Sequence, residues 1–347
     1  MPICHPRFAL LALLMDVTAC LPAATPIQSA APPYPAHGAI ERLDPALDAL
    51  LETTATIEKL AEGFNWSEGP VWRSRTHDVL FSDVPENIVY RWQDGSGVSV
   101  FLEPSGYTGD PAAYDGRERG SNGLALDLQG QLLLCQHGNR QVARLNADGK
   151  TFTPLAERFS GKRFNSPNDL CVDRAGNIYF TDPPYGMAKS ATSETEFNGV
   201  YRRGVDGRVT LISKELDGPN GIAFSPDEKT LYLGNTGSRP VILAIAVNPD
   251  GSAGAGRVFW DSTDLIARTQ RHGGMDGLKV DERGNVWASG PGGILILSPE
   301  GKHLGSLLTG RATANCAFGG ADGKTLFITA DDLLLRLRTK VRGAVVR

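Results

Sequence analysis

Cysteine is scarce, with five in 347 residues, and no pair shows C-x-x-C spacing. If Cys4 and Cys20 lie in a leader, three remain (Cys135, Cys171 and Cys316), each inside an apolar strand pattern, and the expectation is buried free thiols rather than a disulfide framework. Long apolar runs are also missing. The longest near the start, Phe8 to Met15, is far too short to span a bilayer. No basic block occurs and the net charge is −4, so nucleic acid is excluded as a natural partner. Long helices are excluded because 40 Gly and 22 Pro interrupt nearly every stretch of a dozen residues. G-x-S-x-G, Walker A and H-E-x-x-H are all absent. Serine-hydrolase, nucleotide-binding and zincin readings therefore lose their support.

The first twenty residues read as an address. His5-Pro6-Arg7, the short apolar run and Val17-Thr18-Ala19-Cys20 fit a signal peptide over 1–20, with a lipoprotein-type cleavage and a lipid anchor at Cys20. That reading places the protein in the periplasm or cell envelope; initiation at Met15 would instead leave it cytoplasmic. Residues 21–54 are expected to form a Pro/Ala-rich tether, then a short helix near 45–53 opened by Asp44-Pro45 and carrying Leu47, Leu50 and Leu51.

Beyond that point the chain repeats. Six segments share one pattern: an oxygen-bearing residue beside Gly or Pro, an apolar strand, a Gly- or Asp-containing turn, and a second strand. The oxygen residues are Glu68, Asn122, Asn168, Asn220, Asp276 and Asn315, spaced 39 to 56 residues apart. That period suits one four-stranded blade, so residues 55–340 are expected to form an all-β, six-bladed propeller. Stacking blades in a ring buries the two apolar faces that each sheet cannot bury alone. The sixth unit ends one strand short. Residues 55–62 are expected to supply that strand, outermost in the last blade, and so to close the ring.

First strands of propeller blades line the central channel, so the six oxygen residues should converge at one opening. Two carboxylates and four carboxamides, with no His or Cys among them, suit a hard divalent cation such as Ca²⁺; Mg²⁺ and Zn²⁺ are the alternatives. Asn beside Gly is also ordinary turn chemistry, and that reading stays open for Asn122 and Asn315. His137, Asp182, Tyr185 and His272 follow first or second strands, where loops should rim the channel.

These residues resemble a known family, the gluconolactonases with the related regucalcin and diisopropyl-fluorophosphatase-like calcium propellers. The likeness rests on SEGP at 67–70, CQHGNR at 135–140, SPND at 166–169, YFTDPPYG at 179–186, PNGIAFS at 219–225 and MDGLKVD at 275–281. The resemblance implies a catalytic Ca²⁺ held by Glu68, Asn168, Asn220 and Asp276, with Met275 standing where the family usually has Pro. It implies hydrolysis of a sugar lactone such as glucono-1,5-lactone. The metal would act as Lewis acid, Asp276 (or Glu68) would assist the attacking water, and Asn122, His137, Asp182, Tyr185 and His272 would contact substrate. Phosphotriester or fluorophosphate hydrolysis on the same site, and a non-catalytic binding scaffold, are the competing expectations.

Overall fold

The computed structural model describes residues 26–345. The expected signal peptide and Cys20 lie outside the described residues. No helix among those described is long and apolar enough to cross a membrane.

Six antiparallel sheets form the blades, each built outward from the channel. Blade 1 runs Ser67–Arg73, Asp78–Asp83, Ile88–Gln93 and Gly97–Leu102. Blade 2 spans Ser121–Leu126 to Phe152–Ala156, blade 3 Leu170–Val172 to Val209–Ser213, and blade 4 Pro219–Phe224 to Ala253–Asp261. Blade 5 begins at Leu278–Val280 and blade 6 at Thr313–Gly319. Innermost strands touch their neighbours around the ring, and the last touches the first.

The core is not one centre but a set of seams. Each hydrophobic cluster lies between two adjacent blades, as with Leu80 and Val89 of blade 1 against Leu126 and Leu134 of blade 2. At the closing seam Trp72 of blade 1 stacks on Phe327 of blade 6, with ring centroids 5.5 Å apart. Cys135 and Cys316 are buried and Cys171 is half-buried, all as free thiols.

The closing strand is where the repeat required it. Ile57–Glu62 pairs antiparallel with Leu333–Arg338 as the fourth strand of blade 6. It is not outermost: Gln28–Ser29 pairs with its far edge. The stretch expected as a tether is instead laid on the propeller over its described part. Ala39–Arg42 adds a fifth strand to blade 5. The Tyr34 hydroxyl donates to Asp94 at 2.6 Å, and the Arg336 guanidinium lies 4.5 Å over the Tyr34 ring. A Pro- and Ala-rich composition does not prevent backbone groups from pairing with a free sheet edge, and that edge captures them. The expected helix shrinks to a 3₁₀ turn, Pro45–Ala49, capped by Asp44; Leu47, Leu50 and Leu51 pack into the seam between blades 5 and 6.

The two ends of the channel differ. One end is a cavity of about 130 Å³ whose lining includes Val71, Leu124, Leu170, Ile222 and Phe224, with Ala344 and Val345 also beside it. The opposite end carries the oxygen residues.

Candidate metal centre and active site at the channel mouth

Three of the four X-Gly pairs lie at bulges, not turns. In blade 1 the pairing jumps from Glu68↔Ser82 to Val71↔Leu80, in blade 2 from Ser121↔Gln136 to Leu124↔Leu134, and in blade 4 from Pro219↔Asn235 to Ile222↔Leu233. In blades 2 and 4 the oxygen residue is itself skipped, and in blade 1 Glu68 is the last residue paired before the skip; the bulge bends the strand there and can re-aim the side chain. In blades 3 and 5 the first strand starts only after Asn168 and Asp276. Glycine follows because the next blade presses there. A Cβ on Gly123 would stand 2.7 Å from the Asn168 carbonyl oxygen, and one on Gly221 only 2.3 Å from that of Asp276. Both glycine N–H groups donate to those carbonyls, at 2.7 and 3.2 Å.

Three blades thus bring their side chains into one bonded group, and Glu68 of a fourth comes close enough for its charge to act on Asp276. Asn168 Nδ2 donates to Asn220 Oδ1 at 2.7 Å, and the Asn220 amide also bonds the Asp276 carboxyl. Glu68 is buried; its Oε2 accepts the Gly69 N–H at 2.8 Å, and its carboxyl is bonded by the Asn315 side chain. Burial, opposed by the Gly69 N–H and reinforced by the charge of Asp169, pushes the Glu68 carboxyl up to about 8. Burial first and the charge of Glu68 second push Asp276 well above the usual carboxylate range. Two oxygens here, Asn122 Oδ1 and Asp276 Oδ1, are buried without a hydrogen-bond partner.

That donor set fits a hard cation. It offers oxygen only, its two acids repel each other, and it leaves buried lone pairs unspent, which is costly unless something positive meets them. Among the described residues no three His, Cys, Asp or Glu side chains cluster as a metal site, so the fit depends on the two amides.

The remaining expected residues fall on different sides of this group. Asn122 faces it. Asn315 stands behind it, donating to Asp169 Oδ2 at 3.3 Å and accepting from Lys279 Nζ at 3.1 Å. His137 is wholly buried rather than on the rim, with Nε2 3.1 Å from Asn168 Oδ1 and Nδ1 3.5 Å from Glu118 Oε2. Asp182 is also fully buried and accepts the Asn165 N–H at 2.8 Å, so it shapes the turn before Asn168 and does not face the mouth. Tyr185 is half-buried; its hydroxyl donates to the Gly218 carbonyl at 3.2 Å, and burial, then the charge of Asp276, raises its pKa. His272 is exposed in the loop after the short helix Thr263–Thr269.

Sequence reasoning missed Asp169, Lys279, Glu118 and Thr236. Two left a trace: Asp169 stands where blades 1, 2, 4 and 5 have Gly, and Lys279 three residues after Asp276, where the other five blades carry Val71, Ala125, Cys171, Ala223 and Phe318. Loops meet over the mouth as well. The Tyr114 hydroxyl donates to the Gly186 carbonyl at 2.5 Å, and the Ser190 N–H reaches Asp115 Oδ2 at 3.2 Å.

Residues 66–332 match the model of the SMP-30/Gluconolactonase/LRE-like region. The chain belongs to that family. It is 39% identical over 312 residues to a gluconolactonase of Zymomonas mobilis, covering 88% of this chain and 87% of that one. A solved gluconolactonase of Xanthomonas campestris superposes with a TM-score of 0.76 at 34% identity, over 88% and 97% of the two chains. A solved calcium-binding regucalcin of Agrobacterium tumefaciens shares the fold, with a TM-score of 0.64 at 22% identity over 81% and 92%.

Proposed function

We propose that this member of the family hydrolyses a sugar lactone of the glucono-1,5-lactone type at the oxygen-lined end of the channel, with a divalent cation, Ca²⁺ first, held by Glu68, Asn168, Asn220 and Asp276. The observation that carries it is the meeting of two mutually repelling acids, Asp276 bonded to the Asn220–Asn168 amide pair and Glu68 within reach of its charge, beside unpartnered buried oxygens. Relatives named as gluconolactonases at 39% and 34% identity support the substrate class.

When bound, the cation supplies Lewis-acid polarisation of the lactone carbonyl. The protein supplies the rest. Asp276 is half-buried and its Oδ1 has no hydrogen-bond partner, so it can hold a water molecule and take its proton as the oxygen attacks the carbonyl carbon. The ring C–O bond then breaks, and the departing ring oxygen takes back the proton that Asp276 removed from the water and becomes a hydroxyl. Asn122 Oδ1 accepts from a substrate hydroxyl, and Tyr185 borders the same space beside Asp276.

A panel of aldonolactones, simple esters and phosphotriesters, run with Ca²⁺ and with a chelator, tests the reading. Aldonolactone hydrolysis should dominate, vanish on chelation and return with Ca²⁺. Turnover that chelation does not touch, or a preference for phosphotriesters, would refute it.

A further inference from the structure

Around one half of the mouth the polar side chains form a hydrogen-bonded chain whose direction follows from its ends. Its last acceptor is the Met275 carbonyl, 3.2 Å from Thr236 Oγ1. A carbonyl oxygen only accepts, so the Thr236 hydroxyl proton goes to Met275. Thr236 Oγ1 must then accept from Asn220 Nδ2, at 3.0 Å. With its nitrogen turned that way, Asn220 presents Oδ1 to Asn168 Nδ2 at 2.7 Å. Asn168 is set in turn: its nitrogen faces Asn220, and its Oδ1 meets His137 Nε2 at 3.1 Å. With the Thr236 proton on the Met275 carbonyl, the chain runs in one direction and ends with His137 Nε2 donating to Asn168 Oδ1.

We infer that His137 and Thr236 are positioning residues that anchor the two ends of this chain and so hold the Asn168 and Asn220 amides with oxygen, not NH₂, available to the cation. Each amide oxygen accepts one bond along the chain and keeps a second lone pair. Reversal of either amide would aim N–H groups at a positive ion. The two anchors are equivalent by position: each follows the residue paired with the one before the bulge, Gln136↔Ser121 and Asn235↔Pro219, and each precedes a glycine. They differ in exposure. Thr236 opens to the mouth, where water can partly replace it, whereas the His137 ring is wholly buried. Gly186 packs on that ring so closely that a Cβ there would lie 2.2 Å from it, and Glu118 stands on the Nδ1 side. Water therefore cannot reach the ring to replace its bond to Asn168.

The inference rests on the cation site proposed above, and Ca²⁺ titration of the chelator-stripped full chain by calorimetry separates the two. His137→Leu should bind Ca²⁺ about 10–100-fold more weakly than wild type, the range found when a group orienting a metal ligand is removed. His137→Gln, which can still donate an N–H, should recover most of that loss. Thr236→Val should weaken binding about tenfold, and Thr236→Ser should not. The double variant His137→Leu/Thr236→Val should lose less than the product of the two single losses, because both act through the same two amides. Wild-type affinity in both His137→Leu and Thr236→Val, with wild type itself binding Ca²⁺, overturns the inference and leaves the site standing; so does a lowered melting temperature at unchanged affinity. If His137→Leu does not fold, Thr236→Val against Thr236→Ser decides. Absence of any Ca²⁺ binding by wild type overturns the site and the inference together.

Discussion

At Gly221 the spacing between blades leaves no room for a side chain. Its hydrogen-bonded contact with the Asp276 carbonyl joins blade 4 to blade 5 at the point where the candidate carboxylate emerges. A methyl group at 2.3 Å from that oxygen must push blade 5 outward, and Asp276 with it. Gly221→Ala should therefore lower stability by about 1–3 kcal/mol through overpacking and weaken Ca²⁺ binding as well. Gly254, in the outer strand of the same blade, meets nothing nearer than 4.0 Å, so Gly254→Ala should stay within about 0.5 kcal/mol and keep full affinity. Thermal melts and Ca²⁺ titration of both variants check this; equal behaviour would show that the blade contact does not position the site. The same contacts explain why the oxygen residues were legible in the sequence. An X-Gly pair recurs at one phase in four of the six blades because the next blade presses on that position, whereas a side chain that orients an amide through one bond, such as Thr236, leaves no period behind.

Among the elements, those made by alternation were readable and those made by capture were not. The inner strands announce themselves because each buries both faces against neighbouring blades. Ile57–Glu62 was legible by deficit, since Leu333–Arg338 would otherwise leave an open edge. Gln28–Ser29 and Ala39–Arg42 carry no such pattern; they are held by backbone bonds to edges that exist only after the ring has formed. Residues 26–38 also join separate blades. Ser29 Oγ accepts the Val98 N–H of blade 1 at 2.8 Å, and His37 Nε2 lies 2.7 Å from the Thr309 carbonyl after blade 5. Deleting residues 1–38 should accordingly leave a soluble, closed and active ring, but one that melts about 5–10 °C lower, since each kcal/mol shifts a domain of this size by roughly 2–4 °C. Deleting residues 1–64 removes the closing strand and should abolish soluble protein. Melting and solubility of the two truncations, made side by side, measure the difference; an unchanged melting temperature on loss of 1–38 would show that the captured segments add nothing.

For the molecule as a whole, closing the ring forces carboxylates from separate blades together on one axis, and the cation decides whether that arrangement stabilises or strains the fold. Without a cation, Glu68 is held up at about 8 against an ordinary 4.5, and Asp276 is raised in the same direction. Below pH 4.5 the Glu68 carboxyl is protonated whether the chain is folded or not, and it costs nothing. Between 4.5 and about 8 the unfolded chain releases a proton that the folded chain keeps, so the folded state binds more protons and stability falls as pH rises. Above about 8 the full penalty is in place. A bound cation reverses the sign, because it needs both acids ionised; its affinity and the stabilisation it brings should rise with pH over that window, with protons released on binding. Chelator-treated protein should thus melt higher at pH 5.5 than at pH 8.5 as far as these acids decide, while Ca²⁺-saturated protein should not show that loss. The gap between the two melting temperatures should widen steadily with pH. Calorimetry in buffers of different ionisation enthalpy at pH 7 should find about one proton or more released per Ca²⁺, since Glu68 is then still mostly protonated in the cation-free fold and Asp276 is raised in the same direction. Glu68→Gln should flatten the pH dependence of the cation-free protein and reduce that proton release. Parallel melting curves across pH, with no proton release, would mean that the axis carboxylates are already balanced by the protein's own cations, Lys279 foremost, and that the channel mouth has no vacancy of charge for a metal to fill.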